Sequence, residues 1–275
     1  MHEARAGDQV YVATDFAELP TATRLRLREL LTCTACGADA YFIREARNGR
    51  SACFGARPHE EGCELASLAT EDGGSASLDD DDQLTASSSR FRLEPYRPRL
   101  VRHIRHTPGG APHAGSGRRY TRPSRGGVRT PSVSIDRLLR RLVREPDFRT
   151  SRAELVLANN TRAVIADYCI NVREADEDLV GRKRLYWGTI RFPRPADDDG
   201  AWLNTGSRSL PTVKLDEVLL ADVLEDKDID DIDDLSGAAF AFLGYLRRSA
   251  AGKLLLFPED PEWFVIRLFD EDEVN

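Results

Sequence analysis

Residues 33–63 read CTACGADAYFIREARNGRSACFGARPHEEGC and hold four of the chain's five cysteines together with His59. In a reducing compartment an odd set of cysteines, four of them clustered, argues for metal ligation over a disulfide framework or thiols that merely pack. Cys33 and Cys36 are spaced C-x2-C, which lets two thiolates and the intervening backbone wrap one tetrahedral ion. His59 and Cys63 are spaced H-x3-C, and a helical turn opened by Pro58 would point both at the same ion. The predicted ligands are Cys33, Cys36, His59 and Cys63, with Cys53 the alternate for one position, and the predicted ion is a structural Zn²⁺. HEEGC shares its first two letters with the metalloprotease pattern H-E-x-x-H, in which a glutamate activates water at an open coordination position. Here Cys63 replaces the second histidine and two more thiolates are at hand, so a closed site is predicted and Glu60 is a solvated neighbour.

Between the ligand pairs, YFIREA and RSACFGA read as two short strands joined at Asn48-Gly49, a strong hairpin signal. A cysteine pair before a hairpin and further ligands behind it is the layout of a zinc ribbon or a treble-clef-like site. The run from ARAGDQVYVATDF through TCTACGADAYFIRE to CFGARPHEEGC resembles the N-terminal zinc-binding region of CoiA-like competence proteins and related bacterial DNA-handling or defence proteins. The resemblance spans residues 3–68 and rests mainly on Cys33 and Cys36. The His-Phe-Ala-His run usual in that family appears here only as CFGA followed by His59. The family's nuclease domain has no recognisable counterpart downstream, so its activity is not carried over.

A formal net charge of −7 hides a segregation of sign. Residues 71–82, EDGGSASLDDDD, are acidic, whereas residues 90–130 carry eleven arginines against Glu94 alone. That second stretch is rich in Gly, Pro, Ser and His and cannot bury enough apolar surface to fold by itself. The expected organisation is a zinc-ribbon-like module over 1–69, an acidic then Arg-rich linker over 70–130, and a β-rich domain with an N-terminal helix over 131–275.

SIDRLLRRLVRE predicts the clearest helix, from Ser134 as N-cap to Pro146 as stop. Ile135, Leu138, Leu139, Leu142 and Val143 share one face, and Arg137, Arg140, Arg141 and Arg144 the other. After it come short β-like runs: AELVLA, AVIADYCINV, KRLYWGTIRF, AWLNTG, TVKLDEVLL, AAFAFLGYLRR, KLLLFPE and WFVIRLF. Cys169, inside AVIADYCINV, reads as a buried core residue. Long crossover helices are absent from this reading, which favours an α+β, β-rich fold with a C-terminal antiparallel domain. The specific expectation is an OB-like barrel, with Gly188 and Gly244 permitting bends.

Phosphate-loop, dinucleotide and nucleophile-elbow motifs are missing from the sequence. The one nuclease-like pattern is Asp216 followed by Glu225-x-Lys227, running into the acidic DIDDIDD. Arginine outnumbers lysine by 35 to 4, and arginine forks suit phosphate and carboxylate alike. The expected nucleic-acid contacts are Arg118, Arg119, Arg122, Arg125, Arg137, Arg140, Arg141 and Arg144, with Trp187 as the main stacking face and Tyr186, Trp202 and Tyr245 beside it. The expected function is a non-catalytic, zinc-containing accessory that binds nucleic acid; a protein-protein adaptor and a metal-dependent nuclease are the alternatives. The acidic runs decide between the first two, since acids that cover the arginines compete with nucleic acid and unmasked acids suit a basic protein. MHEARAGDQVYV has neither the basic start nor the apolar stretch of a secretory signal, and no apolar run spans a bilayer, so a cytoplasmic protein is expected.

Overall fold

EARA, at the start of the chain, alternates exposed and buried side chains, the period of a strand covered on one face. The computed structural model describes residues 1–45, 51–56, 59–60, 62–66, 89–96, 130–207 and 209–268. β1 (Glu3–Ala6) pairs antiparallel with β2 (Gln9–Val12) and β3 (Leu31–Thr32). TATRLRL forms α2 (Thr21–Leu27), which follows α1 (Ala13–Glu18) and passes through a 3₁₀ turn into β3. The expected hairpin is present as β4 (Ala40–Ile43) and β5 (Cys53–Ala56), with Ala40 opposite Ala56 and Ile43 opposite Cys53. Its Asn48-Gly49 turn lies outside the described residues. Phe16 of α1 sits 4.9 Å from the Phe42 ring and 5.4 Å from the Phe54 ring, so three aromatics fill the centre of a module otherwise lined largely by alanine.

The segment 70–130, read as a linker, contains an ordered strand. β6 (Arg90–Glu94) runs parallel to both β7 (Ser132–Ser134) and β8 (Glu154–Val156), and β9 (Arg162–Val164) completes a four-stranded sheet. RFRLE alternates, burying Phe91 and Leu93 and exposing its arginines, which composition averaged over the Arg-rich stretch obscures. Residues 70–88 and 97–129 of that expected linker lie outside the described residues.

α3 (Ile135–Arg144) matches its sequence signals. The Ser134 hydroxyl accepts the Arg137 N–H at 3.3 Å, and Pro146 opens the next short turn, α4 (Pro146–Arg149). Its buried face is Ile135, Leu138, Leu139 and Leu142.

The large sheet has eight strands. β10 (Cys169–Asn171), β11 (Lys183–Thr189), β15 (Ala239–Arg248), β16 (Leu254–Pro258), β14 (Thr212–Leu215), β13 (Ala201–Asn204) and β12 (Phe192–Pro195) lie side by side in that order, and β17 (Phe264–Arg267) also pairs with β15. Most pairs are antiparallel, but β10 runs parallel to β11 and β14 to β16. Among the described residues the ends of this order do not meet, so no closed barrel is present and the OB-like expectation is not confirmed. The physical reason is visible in β11 and β15, where both faces are buried. Leu185, Trp187, Ala239, Ala241 and Leu243 pack with α3 on one side, while Tyr186, Phe240, Phe242 and Leu246 form a second core on the other. A strand covered on both faces reads as a continuous apolar run and belongs to the middle layer of a sandwiched sheet.

The second core is closed by a helix that the strand reading missed. DEVLLADVLEDK is α6 (Glu217–Lys227); α5 is the single turn Ile165–Tyr168. Asp216 accepts the Leu219 N–H at 2.8 Å as its N-cap, and Leu219 and Val223 face inward. Gly244 allows a close approach as well as a bend, since a Cβ there would stand 2.1 Å from the Phe257 carbonyl oxygen. Among the described residues no helix is long and apolar enough to cross a membrane.

Candidate metal centre

The first ligand pair sits on a tight loop between β3 and β4. The Cys33 N–H donates to the Ala38 carbonyl at 2.8 Å and the Gly37 N–H to the Cys33 carbonyl at 3.0 Å. Gly37 has φ +74°, a left-handed conformation that glycine adopts without a Cβ penalty. The second pair follows β5, where Gly62 at φ +78° turns the chain and the Cys63 N–H donates to the Glu60 carbonyl at 3.1 Å. His59 and Glu60 have irregular backbone; Pro58, expected to open a helical turn here, lies outside the described residues.

These turns bring Cys33, Cys36, His59 and Cys63 together with all four ligand atoms within 4.8 Å of one another. Cys33 Sγ is 3.9 Å from Cys63 Sγ, and His59 Nδ1 is 3.4 Å from Cys36 Sγ and 3.3 Å from Cys63 Sγ. A tetrahedral ion of zinc's size, bonded at about 2.3 Å to sulfur and about 2.0 Å to nitrogen, sets sulfur-sulfur edges of about 3.8 Å and sulfur-nitrogen edges of about 3.5 Å. The Cys33–Cys63, Cys36–His59 and Cys63–His59 edges match those dimensions, and the four residues can hold a metal ion. Cys53 lies on β5 opposite Ile43, outside this group. Glu60 is exposed, and four protein donors leave no coordination position that would need it as a base.

Burial works to raise the Cys36 thiol, yet backbone N–H groups of Glu60 and Ala38, with His59 and Cys63, hold it down at about 6. Cys63 moves the other way, raised by burial and by the neighbouring Cys36 and Cys33. Of the two, Cys36 is therefore the thiolate near neutral pH in the metal-free chain. Iodoacetamide labelling of chelator-treated protein will modify Cys36 ahead of Cys63, and its rate will fall as pH drops through about 6 because the thiolate is the nucleophile. A Cys36 rate that changes only near the ordinary thiol value, above about 8, would contradict this reading.

No model of a known protein family matches the chain, and no curated protein matches it.

The other predicted site residues divide sharply. Arg118, Arg119, Arg122 and Arg125 lie outside the described residues. Arg137, Arg140 and Arg141 are partly exposed and Arg144 is exposed, all on α3. Arg141 pairs with Glu145 at 2.8 Å and lies 3.8 Å over the Phe148 ring. Trp187 is a correction to the sequence reading: it is 5 % exposed and its indole N–H donates to the Cys169 carbonyl at 3.3 Å, so no base can reach its face. Tyr186 is wholly buried, whereas Trp202, with the Lys214 ammonium 5.0 Å from its ring centre, and Tyr245 remain partly exposed. Cys169 is buried as expected, and burial pushes its thiol up.

Asp216 and the Glu225-x-Lys227 pair do not converge. Asp216 caps one end of α6 and Glu225 lies about 14 Å along its axis, at about 1.5 Å per residue. Lys227 is already engaged by Asp226 at 2.6 Å and by the Tyr96 hydroxyl at 3.2 Å.

What the sequence reading missed is a set of arginine contacts between the N-terminal module and the large sheet. Arg28, 9 % exposed, reaches Asp233 and the Pro193 carbonyl, both at 2.8 Å. Arg44 takes Asp234 at 2.8 Å and Asp231 at 3.0 Å. Three aspartates of DIDDIDD thus clamp the module. In the opposite direction Arg191, 5 % exposed, pairs with Asp39 at 3.2 Å. Burial lowers its guanidinium from the ordinary value and Asp39 opposes that shift. The available signal was an arginine between Ile190 and Phe192 in an otherwise apolar strand run, a position that demands a partner.

Proposed function

We propose that the chain is a zinc-stabilised, non-catalytic accessory protein that engages nucleic acid in bacterial DNA handling or defence against phage, in line with the resemblance of residues 3–68 to CoiA-like proteins. Three thiolates and an imidazole are the donor set that suits zinc rather than the hard cations that favour oxygen. The observation that carries the nucleic-acid reading is the orientation of α3. Its apolar face is packed on the sheet, which leaves Arg137, Arg140 and Arg144 on the water side, directly after the Arg-rich stretch that ends at Arg129. Such a surface attracts phosphate without reading bases, and its affinity falls steeply with salt.

The adaptor reading needs an unmasked acidic run that would attract a basic protein. Within DIDDIDD, Asp231, Asp233 and Asp234 are instead paired with Arg28 and Arg44 of the same chain, which weakens that run as a target for a basic protein; the acidic runs at 71–82 and 270–273 lie outside the described residues. Fluorescence anisotropy with labelled single-stranded and duplex oligonucleotides tests the reading. The wild-type chain will bind at low salt, and combined Arg137→Ala, Arg140→Ala and Arg144→Ala substitution will reduce the slope of log affinity against log salt by about 2, at about 0.7 to 0.9 for each phosphate no longer neutralised. No binding by the wild type at low salt would overturn the reading in favour of the adaptor.

A further inference from the structure

Arg191 lies in the turn between β11 and β12, and its guanidinium reaches under the Cys33–Cys36 loop. Nη2 donates to the Leu31 carbonyl at 2.6 Å, Nε donates to the Ala40 carbonyl at 2.9 Å, and Nη1 pairs with Asp39 at 3.2 Å. Leu31 stands two residues before Cys33, and Asp39 and Ala40 follow Cys36 by three and four. One buried fork from the large sheet therefore ties the strand entering the first ligand pair to the strand leaving it. Above the fork the same two strands are joined by the Thr32–Asp39 bridge and by the Cys33 N–H to Ala38 bond.

We infer that metal occupancy and docking of the N-terminal module on the large sheet form one linked equilibrium, with Arg191 as the positioning residue that couples them. This rests on the four-residue metal site proposed above. When the site is empty, nothing draws Cys33, Cys36, His59 and Cys63 to a common centre and the loop opens, so the Leu31 and Ala40 carbonyls move apart. Arg191 then faces the cost of a buried cation without acceptors, which undocking relieves by returning it to water. In the docked state the rigid fork holds both strands at the spacing the ligands need, and metal affinity rises. Linkage makes the two effects reciprocal: the factor by which the ion favours docking equals the factor by which docking favours the ion. The Arg28–Asp233 and Arg44–Asp231/Asp234 pairs span the same interface and part with it.

The test uses the full chain with zinc as the probe. Zinc affinity, measured by competition with a chromogenic chelator, will fall about 10-fold or more in Arg191→Met, the size of effect expected when groups that orient metal ligands are removed. Arg191→Lys, which keeps the charge but loses the fork, will stay weakened, and Asp39→Asn will show a smaller loss. Hydrogen exchange supplies the readout that a local effect on the ligands would not move. Removing zinc from the wild type will speed exchange across residues 231–236, far in sequence from every ligand, and adding zinc back will restore it; in Arg191→Met that segment will exchange fast in both states. Unchanged exchange at 231–236 on zinc removal, or wild-type zinc affinity in Arg191→Met, would overturn the coupling while leaving the metal site standing. A wild-type chain that binds no zinc would overturn the metal site itself. Should Arg191→Met fail to fold, the wild-type exchange measurement decides alone.

Discussion

Cys36→Ser and His59→Ala proteins will purify without zinc, whereas the wild type and Cys53→Ser will each carry a single ion, by elemental analysis of the full chain. The expectation follows from the geometry: Cys36 and His59 stand 3.4 Å apart inside the cluster and Cys53 is on the hairpin outside it. The loss will extend beyond the ion. The module's core contains eleven buried residues, six of them alanine, so little apolar area replaces the metal when it leaves. Structural zinc in small domains contributes on the order of 10 to 16 kcal/mol of apparent binding energy near neutral pH, and that energy is folding energy. Thermal unfolding of the two zinc-free variants will therefore show an early transition for the N-terminal module that Cys53→Ser lacks. Zinc retained in His59→Ala and lost in Cys53→Ser would assign the fourth position to the other residue.

Arg28→Met will destabilise the wild-type fold by about 3 kcal/mol in urea denaturation, the range for breaking a buried pair by removing one partner. The guanidinium is nine-tenths buried, joins Asp233 to the Pro193 carbonyl and stands 5.3 Å from the Phe192 ring centre, so its removal costs two charge-assisted hydrogen bonds and the packing against the ring. Asp233 keeps 25 % side-chain exposure, so water compensates part of its loss and Asp233→Asn will cost less. The double variant will fall short of the sum of the two single losses, because each single change leaves the other partner unpaired. An effect under about 0.5 kcal/mol for Arg28→Met would place the pair with ordinary surface salt bridges and refute its role as a clamp.

Local chemistry explains which features are legible in the sequence. The C-x2-C pair, the H-x3-C pair and the hairpin between them are short-range patterns, and the fold brings both pairs together, the second through irregular backbone and a left-handed Gly62 in place of the expected helical turn. The signals for α3 are short-range as well, since its cap, apolar face and stop all lie within thirteen residues. Sequence reasoning fails where a residue's state depends on a distant neighbour. TVKLDEVLL reads as one strand because its apolar density fits either period, yet Asp216 follows β14 and caps α6. Trp187 reads as an exposed stacking face because a strand does not announce that both its sides will be covered.

By itself the sequence determined four residues that can hold a metal ion, with Cys53 left as an alternate, the helix that carries an arginine face, and the predominance of strands after it. Only the tertiary structure decided that the large sheet stays open with a core on each side, that Arg90–Glu94 joins the second sheet, and that DIDDIDD clamps the N-terminal module through Arg28 and Arg44. Spacing within one turn or hairpin is set by backbone geometry and is written in adjacent residues. The partner of a buried charge is set by which surfaces meet after folding, and for Arg28 and Asp233 that meeting joins residues 205 positions apart.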